Sequence, residues 1–365
     1  KALNLALCHV VVICSWQRWR RAFLSSLWTQ QTTAALDGAA AAKETQAGRG
    51  LVASRAIAKG EVVFRCAPVG AVLHDWALAK HCSRCFASLG ASGVLCHHCL
   101  MARFCPACLA LPSAKAQHRS ECRALGRLRN DQPLRRKLGL RKGVGKQATA
   151  KQATSMIRLA LRLLSVRRRC LHKHAPLPLL SDEAGGGEWV PEEDVVHDSW
   201  EDVEMLTPCE AELDAMVEAL PAWRQQELEG GANAVRLLFT ARRDEIYHLL
   251  CRIAFNGMAL VPEVPLREGR RWREKGIALY PSGAMVNHSC DPSCMWFIRG
   301  GVLVIEASRR VPRGKELTIA YLPITGTYED RQQRLQKAFG FRCKCARCNA
   351  DQKRMRAGKK RTCKK

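Results

Sequence analysis

The sequence predicts an α+β fold, in which short strands carry a polar site, helices fill a central insert, and metal closes cysteine-rich segments. Three observations predict it. Residues 280–321 set two polar clusters inside apolar, strand-like sequence: Asn287-His288-Ser289-Cys290, and Gly314-Lys315-Glu316-Leu317-Thr318-Ile319-Ala320-Tyr321. Residues 82–122 hold cysteines and a histidine at metal-ligand spacing. Helical periodicity marks the stretch between, with Met156, Ile157, Leu159, Ala160, Leu161, Leu163 and Leu164, then Ile246, Leu249, Leu250 and Ile253.

The chain has 365 residues and a net charge of +26. It is long enough for one large or two modest domains, and its charge favours acidic partners. Residues 181–220 hold 14 acidic residues and no Lys or Arg. The basic remainder makes non-specific nucleic-acid binding an expectation. Nineteen cysteines falling in CxxC pairs with a His-x3-Cys read as metal ligands rather than disulfides. That implies a reducing compartment, nuclear or cytoplasmic.

In chain order, Leu3–Ile13 is an apolar run followed by Arg18–Arg21, too short for a membrane span and wrongly flanked for a secretory signal. No membrane association is expected. Residues 1–45 read as a disordered leader, with Ala34–Ala42 as a low-complexity linker. Order begins near Gly48-Arg49-Gly50. Val52–Ala58 and Glu61–Arg65 read as two strands around Ala58-Lys59-Gly60, giving a first segment over 46–81.

The segment 82–122 offers Cys82, Cys85, Cys96, Cys99, Cys105, Cys108, His118 and Cys122, enough for two tetrahedral zinc ions, with His97 and His98 as competing ligands. It has little else to make a core, so zinc would supply its folding energy. Residues 123–250 read as a helical insert interrupted at 181–207 by an acidic, disordered loop, and deleting 181–205 should leave fold and zinc content intact. Asn256-Gly257 ends a helix and reads from spacing alone as a C-capping pair. Residues 251–322 hold the core with the two polar clusters. Val302–Glu306 is a buried strand and Pro312-Arg313-Gly314 a turn. Cys343-Lys344-Cys345-Ala346-Arg347-Cys348 supplies three ligands within 335–350 and needs a fourth. Chemistry alone leaves Cys290 and Cys294 equal for that place. Residues 351–365 form a basic tail.

The two polar clusters, the closing CxCxxC and the finger spacing together resemble the SET-MYND (SMYD-type) protein lysine methyltransferases, over residues 47 to about 349. The resemblance implies a SET-domain fold of small antiparallel sheets with an inserted MYND zinc finger, a helical insert and a cysteine-rich post-SET segment. It implies S-adenosylmethionine as cofactor, three zinc ions, and methyl transfer to a lysine of a histone or other protein. It assigns Cys82, Cys85, Cys105 and Cys108 to one zinc, and Cys96, Cys99, His118 and Cys122 to a second. The third would take Cys290 with Cys343, Cys345 and Cys348. The Cys105–Cys108 gap holds two residues, including Pro106, where the family usually has three.

The same resemblance assigns cofactor contacts to Gly48, Arg49, Gly50, Asn256, Asn287, His288, Tyr321 and Phe341. Tyr321 is the expected catalytic residue, with its hydroxyl aimed at the methyl and the lysine nitrogen. Two signature segments threading past each other would bring residues 287 and 321 together. Three departures stand out: Ala47 for an arginine, Ala284 for a serine, and Phe339 for a channel tyrosine. Only 17 residues follow Cys348, so the C-terminal helical domain of many relatives is expected to be absent. A monomer is expected, with proline-rich peptides as further partners for the finger. A catalytically silent scaffold using that finger is the rival reading.

Overall fold

The computed structural model describes residues 39–45, 48–137, 148–171, 195–206, 210–260 and 274–362. The expected leader up to residue 38 and residues 181–194 of the acidic insertion lie outside them. Along the chain come β1 (Ala40–Thr45), β2 (Gly48–Ala53), β3 (Val62–Ala67), β4 (Gly70–Leu73), β5 (Val94–Leu95) and β6 (Arg103–Phe104). Helices α1 (Pro106–Ala110), α2 (Pro112–Asn130), α3 (Gln132–Lys137) and α4 (Ala148–Leu171) follow. After β7 (Val195–His197) run α5 (Trp200–Glu204), α6 (Glu210–Glu218), α7 (Ala222–Leu238) and α8 (Arg243–Asn256). The chain then returns to β8 (Gly257–Leu260), β9 (Gly276–Leu279), α9 (Pro281–Ala284), β10 (Asn287–His288), β11 (Cys294–Arg299), β12 (Val302–Ala307) and β13 (Thr318–Ile319). It closes with α10 (Tyr328–Phe339) and α11 (Ala346–Thr362).

The strands form small sheets, as a SET fold requires, ordered β11-β12-β3-β7, β4-β9-β8, β1-β2 and β10-β13, with β5-β6 inside the finger. Most pairs are antiparallel, but β10–β13 and β3–β7 are parallel. The β11–β12 hairpin turns at Gly300-Gly301, both at positive φ, which matches the twist of the strands it joins. Buried Leu51, Ile57, Phe64, Leu303, Ile305 and Leu317 fill the core among these sheets. A second core is helical. α4 is buried on nearly every face from Met156 to Leu164, so its apolar width reflects packing against α7, α8 and β4 together.

Three sequence expectations need correction. Residues 40–45, expected in the linker, form β1 and pair with β2 along their whole length. The strand expected over Val52–Ala58 ends at Ala53, and β2 joins β1 while β3 joins β12. The third correction concerns the acidic insertion. Residues 195–206 are ordered, with Val195, Val196, Trp200, Val203 and Leu206 buried. A capping box closes α5: Ser199 accepts from the Asp202 N–H, and Asp202 accepts from the Ser199 N–H. Deleting 181–205 would therefore remove a sheet strand and core side chains. Much of the basic tail belongs to α11, which continues to Thr362.

Candidate functional site

The parallel pairing of β10 with β13 places Asn287 opposite Thr318 and His288 opposite Ile319. That register brings Tyr321, two residues beyond β13, against His288. The Tyr321 backbone N–H donates to His288 Nδ1 at 3.1 Å. Nδ1 is thereby an acceptor, so the proton of the neutral ring sits on Nε2, which faces Cys290 Sγ at 3.4 Å. Burial pushes the His288 pKa down to about 4, so the ring stays neutral near pH 7.

The Tyr321 hydroxyl donates to the Val286 carbonyl at 3.0 Å. Its ring is fixed among His288, Phe339 and Phe341, with centroids 5.3, 5.2 and 6.4 Å away. Burial also raises the Tyr321 pKa above its ordinary value. The phenol therefore stays protonated at neutral pH and offers a hydrogen-bond donor and acceptor rather than a base.

Asn287 is the second fixed point. Its Nδ2 donates to Glu316 Oε1 (2.9 Å), the Arg49 carbonyl (3.1 Å) and Thr45 Oγ1 (3.3 Å). β1, β2 and the strand leading to β13 thus meet at one amide. Gly50 sits directly beneath, where a Cβ would run into Asn287 Nδ2. This explains the second glycine of the Gly-x-Gly sequence: backbone and amide approach more closely than a side chain allows. Arg49 contributes its carbonyl here, and its side chain turns away to the Met205 carbonyl. Gly48 pairs with Thr45 at the end of the β1–β2 ladder.

Tyr321 forms part of the wall of a cavity of about 550 Å³, together with Asn256, Met258, Ala284, Trp296 and Phe339. That volume suits a small-molecule ligand. Asn256 reaches it from the last turn of α8, while its amide donates back to the Arg252 carbonyl at 2.9 Å. Two of the departures noted in the sequence, Ala284 and Phe339, are on this wall; Ala47 lies outside the described residues. Asn287, His288 and Phe341 are not on this wall; Phe341 packs 6.1 Å from His288. Sequence reasoning missed Asp198. This residue of the acidic insertion accepts from the Ser282 backbone N–H (2.9 Å) and pairs with its hydroxyl (2.5 Å), beside the cavity-lining Gly283. The dipeptide Asp198-Ser199 before an acidic helix start was the available signal.

The metal centres assemble as the resemblance implies. The groups Cys82/Cys85/Cys105/Cys108, Cys96/Cys99/His118/Cys122 and Cys290/Cys343/Cys345/Cys348 each bring four ligand atoms within 4.8 Å of one another. Sulfurs at the corners of a zinc tetrahedron with ~2.3 Å bonds stand about 3.8 Å apart. Cys85–Cys105 and Cys96–Cys122 are each 3.7 Å apart, and Cys290–Cys348 3.5 Å. The finger backbone fits the ion as well. Phe86 and Leu100, directly after the second cysteine of their CxxC pairs, hold positive φ despite their bulk. The N–H groups of Ala102 and Cys105 point at Cys99 and Cys82 sulfurs, at 3.5 and 3.4 Å. The short Cys105–Cys108 gap is accommodated because Cys105 caps α1 and Pro106 begins it. Cys294 joins no cluster; it is buried in β11 beside the Ser293 hydroxyl. His97 and His98 are outside the ligand groups too. Every described cysteine is free of disulfides.

Comparison with known proteins agrees with this arrangement. A family model described as SET domain matches residues 48–322. "Histone-lysine N-methyltransferase SMYD3" of Mus musculus is 42% identical over 81 residues, 22% of this chain and 19% of that protein. "Histone-lysine N-methyltransferase ASHR1" of Arabidopsis thaliana is 25% identical over 307 residues, 83% of this chain and 53% of that protein. "SET domain and MYND-type zinc finger protein 6" of Schizosaccharomyces pombe is 28% identical over 148 residues, 40% of this chain and 29% of that protein. The chain thus spans about half the length, or less, of these relatives.

Proposed function

Since the chain belongs to the SET domain family, in its SET-MYND branch, we propose that it is a protein-lysine N-methyltransferase that uses S-adenosylmethionine. The observation that carries this is the β10–β13 pairing, which packs His288 against the Tyr321 backbone and so supports the Tyr321 ring on the wall of a ligand-sized cavity. The cavity residues fit the cofactor: Asn256, Tyr321, Phe339 and Trp296 give a largely apolar wall with few polar groups. Bound there, the cofactor supplies a sulfonium methyl, which a neutral lysine amine takes by in-line displacement as the carbon–sulfur bond breaks.

The protein's part is positioning and desolvation. A lysine titrates near ~10.4 in water, and apolar walls such as Phe339, Met258 and Trp296 favour its uncharged form. Tyr321, protonated and wedged among three rings, holds its oxygen in a fixed place as a hydrogen-bond partner for the amine. Neutral His288 fixes the Tyr321 backbone. Asn256 offers an amide on the cavity wall, and Asn287 ties β1, β2 and Glu316 together beside the β10–β13 pairing. We place the substrate among histones or other lysine-bearing proteins, and the protein in a reducing nuclear or cytoplasmic compartment, because thiolate ligands need one. No helix among the described residues is long and apolar enough to cross a membrane.

The test is incubation with methyl-labelled cofactor and a panel of histones and cell-extract proteins. Tyr321→Phe should keep cofactor binding while labelling falls on the order of 10²-fold. Equal labelling by the variant removes Tyr321 from the reaction. No cofactor binding by calorimetry in the wild type would leave a silent scaffold, with Ala284 on the cavity wall as the first position to restore to serine.

A further inference from the structure

The third cysteine cluster is gripped from behind by α10, and two side chains of that helix reach its sulfurs. Gln332 is buried, with 2% of its surface exposed. Its Oε1 accepts from the Cys343 backbone N–H at 2.9 Å, and its Nε2 donates to the Cys343 carbonyl at 3.0 Å. One side-chain amide therefore pairs with both polar groups of a ligand residue, as a neighbouring strand would. The same Nε2 stands 3.3 Å from Cys348 Sγ.

Arg331, the preceding residue and equally buried, brings a charge to the same sulfur. Its Nη2 lies 3.9 Å from Cys348 Sγ and 2.6 Å from Asp351 Oδ2, and its Nη1 donates to the Gly326 carbonyl at 3.0 Å. Four thiolates around a divalent ion leave two excess negative charges in a place with little water. A guanidinium and an amide N–H beside one of those sulfurs oppose that excess and fix the sulfur's direction. Neither residue follows from the CxCxxC spacing, and neither can be a ligand itself.

We propose that Gln332 and Arg331 are positioning residues for the third zinc: they hold Cys343 and Cys348 in ligand geometry and set the affinity of that site alone. The consequence reaches the cavity. Cys290 in this cluster faces His288, whose other nitrogen holds the Tyr321 backbone, and Phe339 and Phe341 flank the segment that Gln332 clamps. The proposal concerns zinc and does not depend on the methyl-transfer reading.

The test is chelator competition on the zinc-loaded full chain, with zinc release followed by a colorimetric indicator. The two finger sites serve as internal controls. Gln332→Glu keeps shape and the acceptor to Cys343 N–H, but sets a carboxylate oxygen against a thiolate and a carbonyl. Loss of an outer partner of this kind weakens a metal site by roughly 10–100-fold. One of three zincs should therefore leave at 10-fold or more lower chelator, while two leave as in the wild type. Arg331→Met should act in the same direction, and Arg331→Lys should recover part of the loss. In the cobalt-substituted protein the thiolate-to-metal absorption should shift for one site of three. Three zincs released as in the wild type from Gln332→Glu would overturn the proposal. Should that variant not fold, Gln332→Met, which loses the donors without adding charge, decides by the same measurement, with wild-type release again fatal.

Discussion

Gly50→Ala isolates the close approach on which the candidate cofactor site rests. The glycine has no positive φ, so alanine meets no backbone strain there, and the only new feature is one methyl group. That methyl would lie well inside van der Waals distance of Asn287 Nδ2, with the Thr45 and Glu316 side chains 3.0 and 3.1 Å away. The amide must retreat by about 1 Å before the contact becomes ordinary. Its bonds to Glu316 and the Arg49 carbonyl, at 2.9 and 3.1 Å, would then stretch out of hydrogen-bond range. Two such bonds at ~1 kcal/mol net each, with the overpacking, come to about 2–4 kcal/mol. For a chain of this size that is a fall of roughly 3–5 °C in the thermal midpoint. Cofactor affinity by calorimetry should fall tenfold or more, because the displaced Asn287 belongs to the β10–β13 pairing that supports Tyr321 on the cavity wall. Gly230→Ala is the control. It lies in α7 with nothing within 4 Å of an added Cβ, and should stabilise by up to about 1 kcal/mol. Wild-type affinity and midpoint in Gly50→Ala would refute the reasoning, since the amide would then have room the geometry denies it.

Two further predictions follow from buried charge. Burial raises the Asp198 pKa to about 7 from an ordinary value near 3.8. Between those values the folded chain holds a proton that the unfolded chain releases, so this group's contribution to stability falls as pH rises from about 4 to 7. Asp198→Asn should flatten that slope in denaturant titrations, and an unchanged slope would remove Asp198 as its source. Glu121 and Arg162 form a buried two-point ion pair, at 3.0 and 2.5 Å, between the finger helix α2 and α4. Glu121→Gln leaves the guanidinium uncompensated and should cost on the order of 3 kcal/mol, with Arg162→Met restoring part of it in the double variant. Additive losses in that cycle would show that the pair does not act as a unit.

The metal centres were legible because zinc imposes its own geometry. CxxC spacing fixes that the two sulfurs of a pair can face one ion, whatever surrounds them, while the interleaving of the pairs came from the resemblance. The fourth ligand of the third cluster was not legible from chemistry, because Cys290 and Cys294 lie four residues apart and both end up buried. What separates them is direction: Cys294 begins β11 and points into the sheet core, while Cys290 lies in the turn after β10. The site residues were legible through resemblance, and spacing could not have joined Asn287 to Tyr321. Their meeting depends on a two-residue parallel pairing between segments about 30 residues apart, and so short a pairing leaves no pattern in hydrophobicity.

The acidic insertion shows how composition can mislead. Averaged over 181–207 its charge argues for disorder. Within it, Val196, Trp200 and Val203 recur at helical and near-helical spacing, and all three are buried. Ser199 three residues before Asp202 is a helix-start signal in its own right. Read at the scale of one turn rather than one segment, the sequence marks a strand, a cap and a short helix, with Asp198 just before the cap bonded to Ser282. The acidic side chains serve there as the capping residue, the first-turn charges of α5 and the buried partner of Ser282. Net charge was therefore a poor guide to order in this segment. A few apolar residues at the right spacing suffice, because a neighbouring core is already present to receive them.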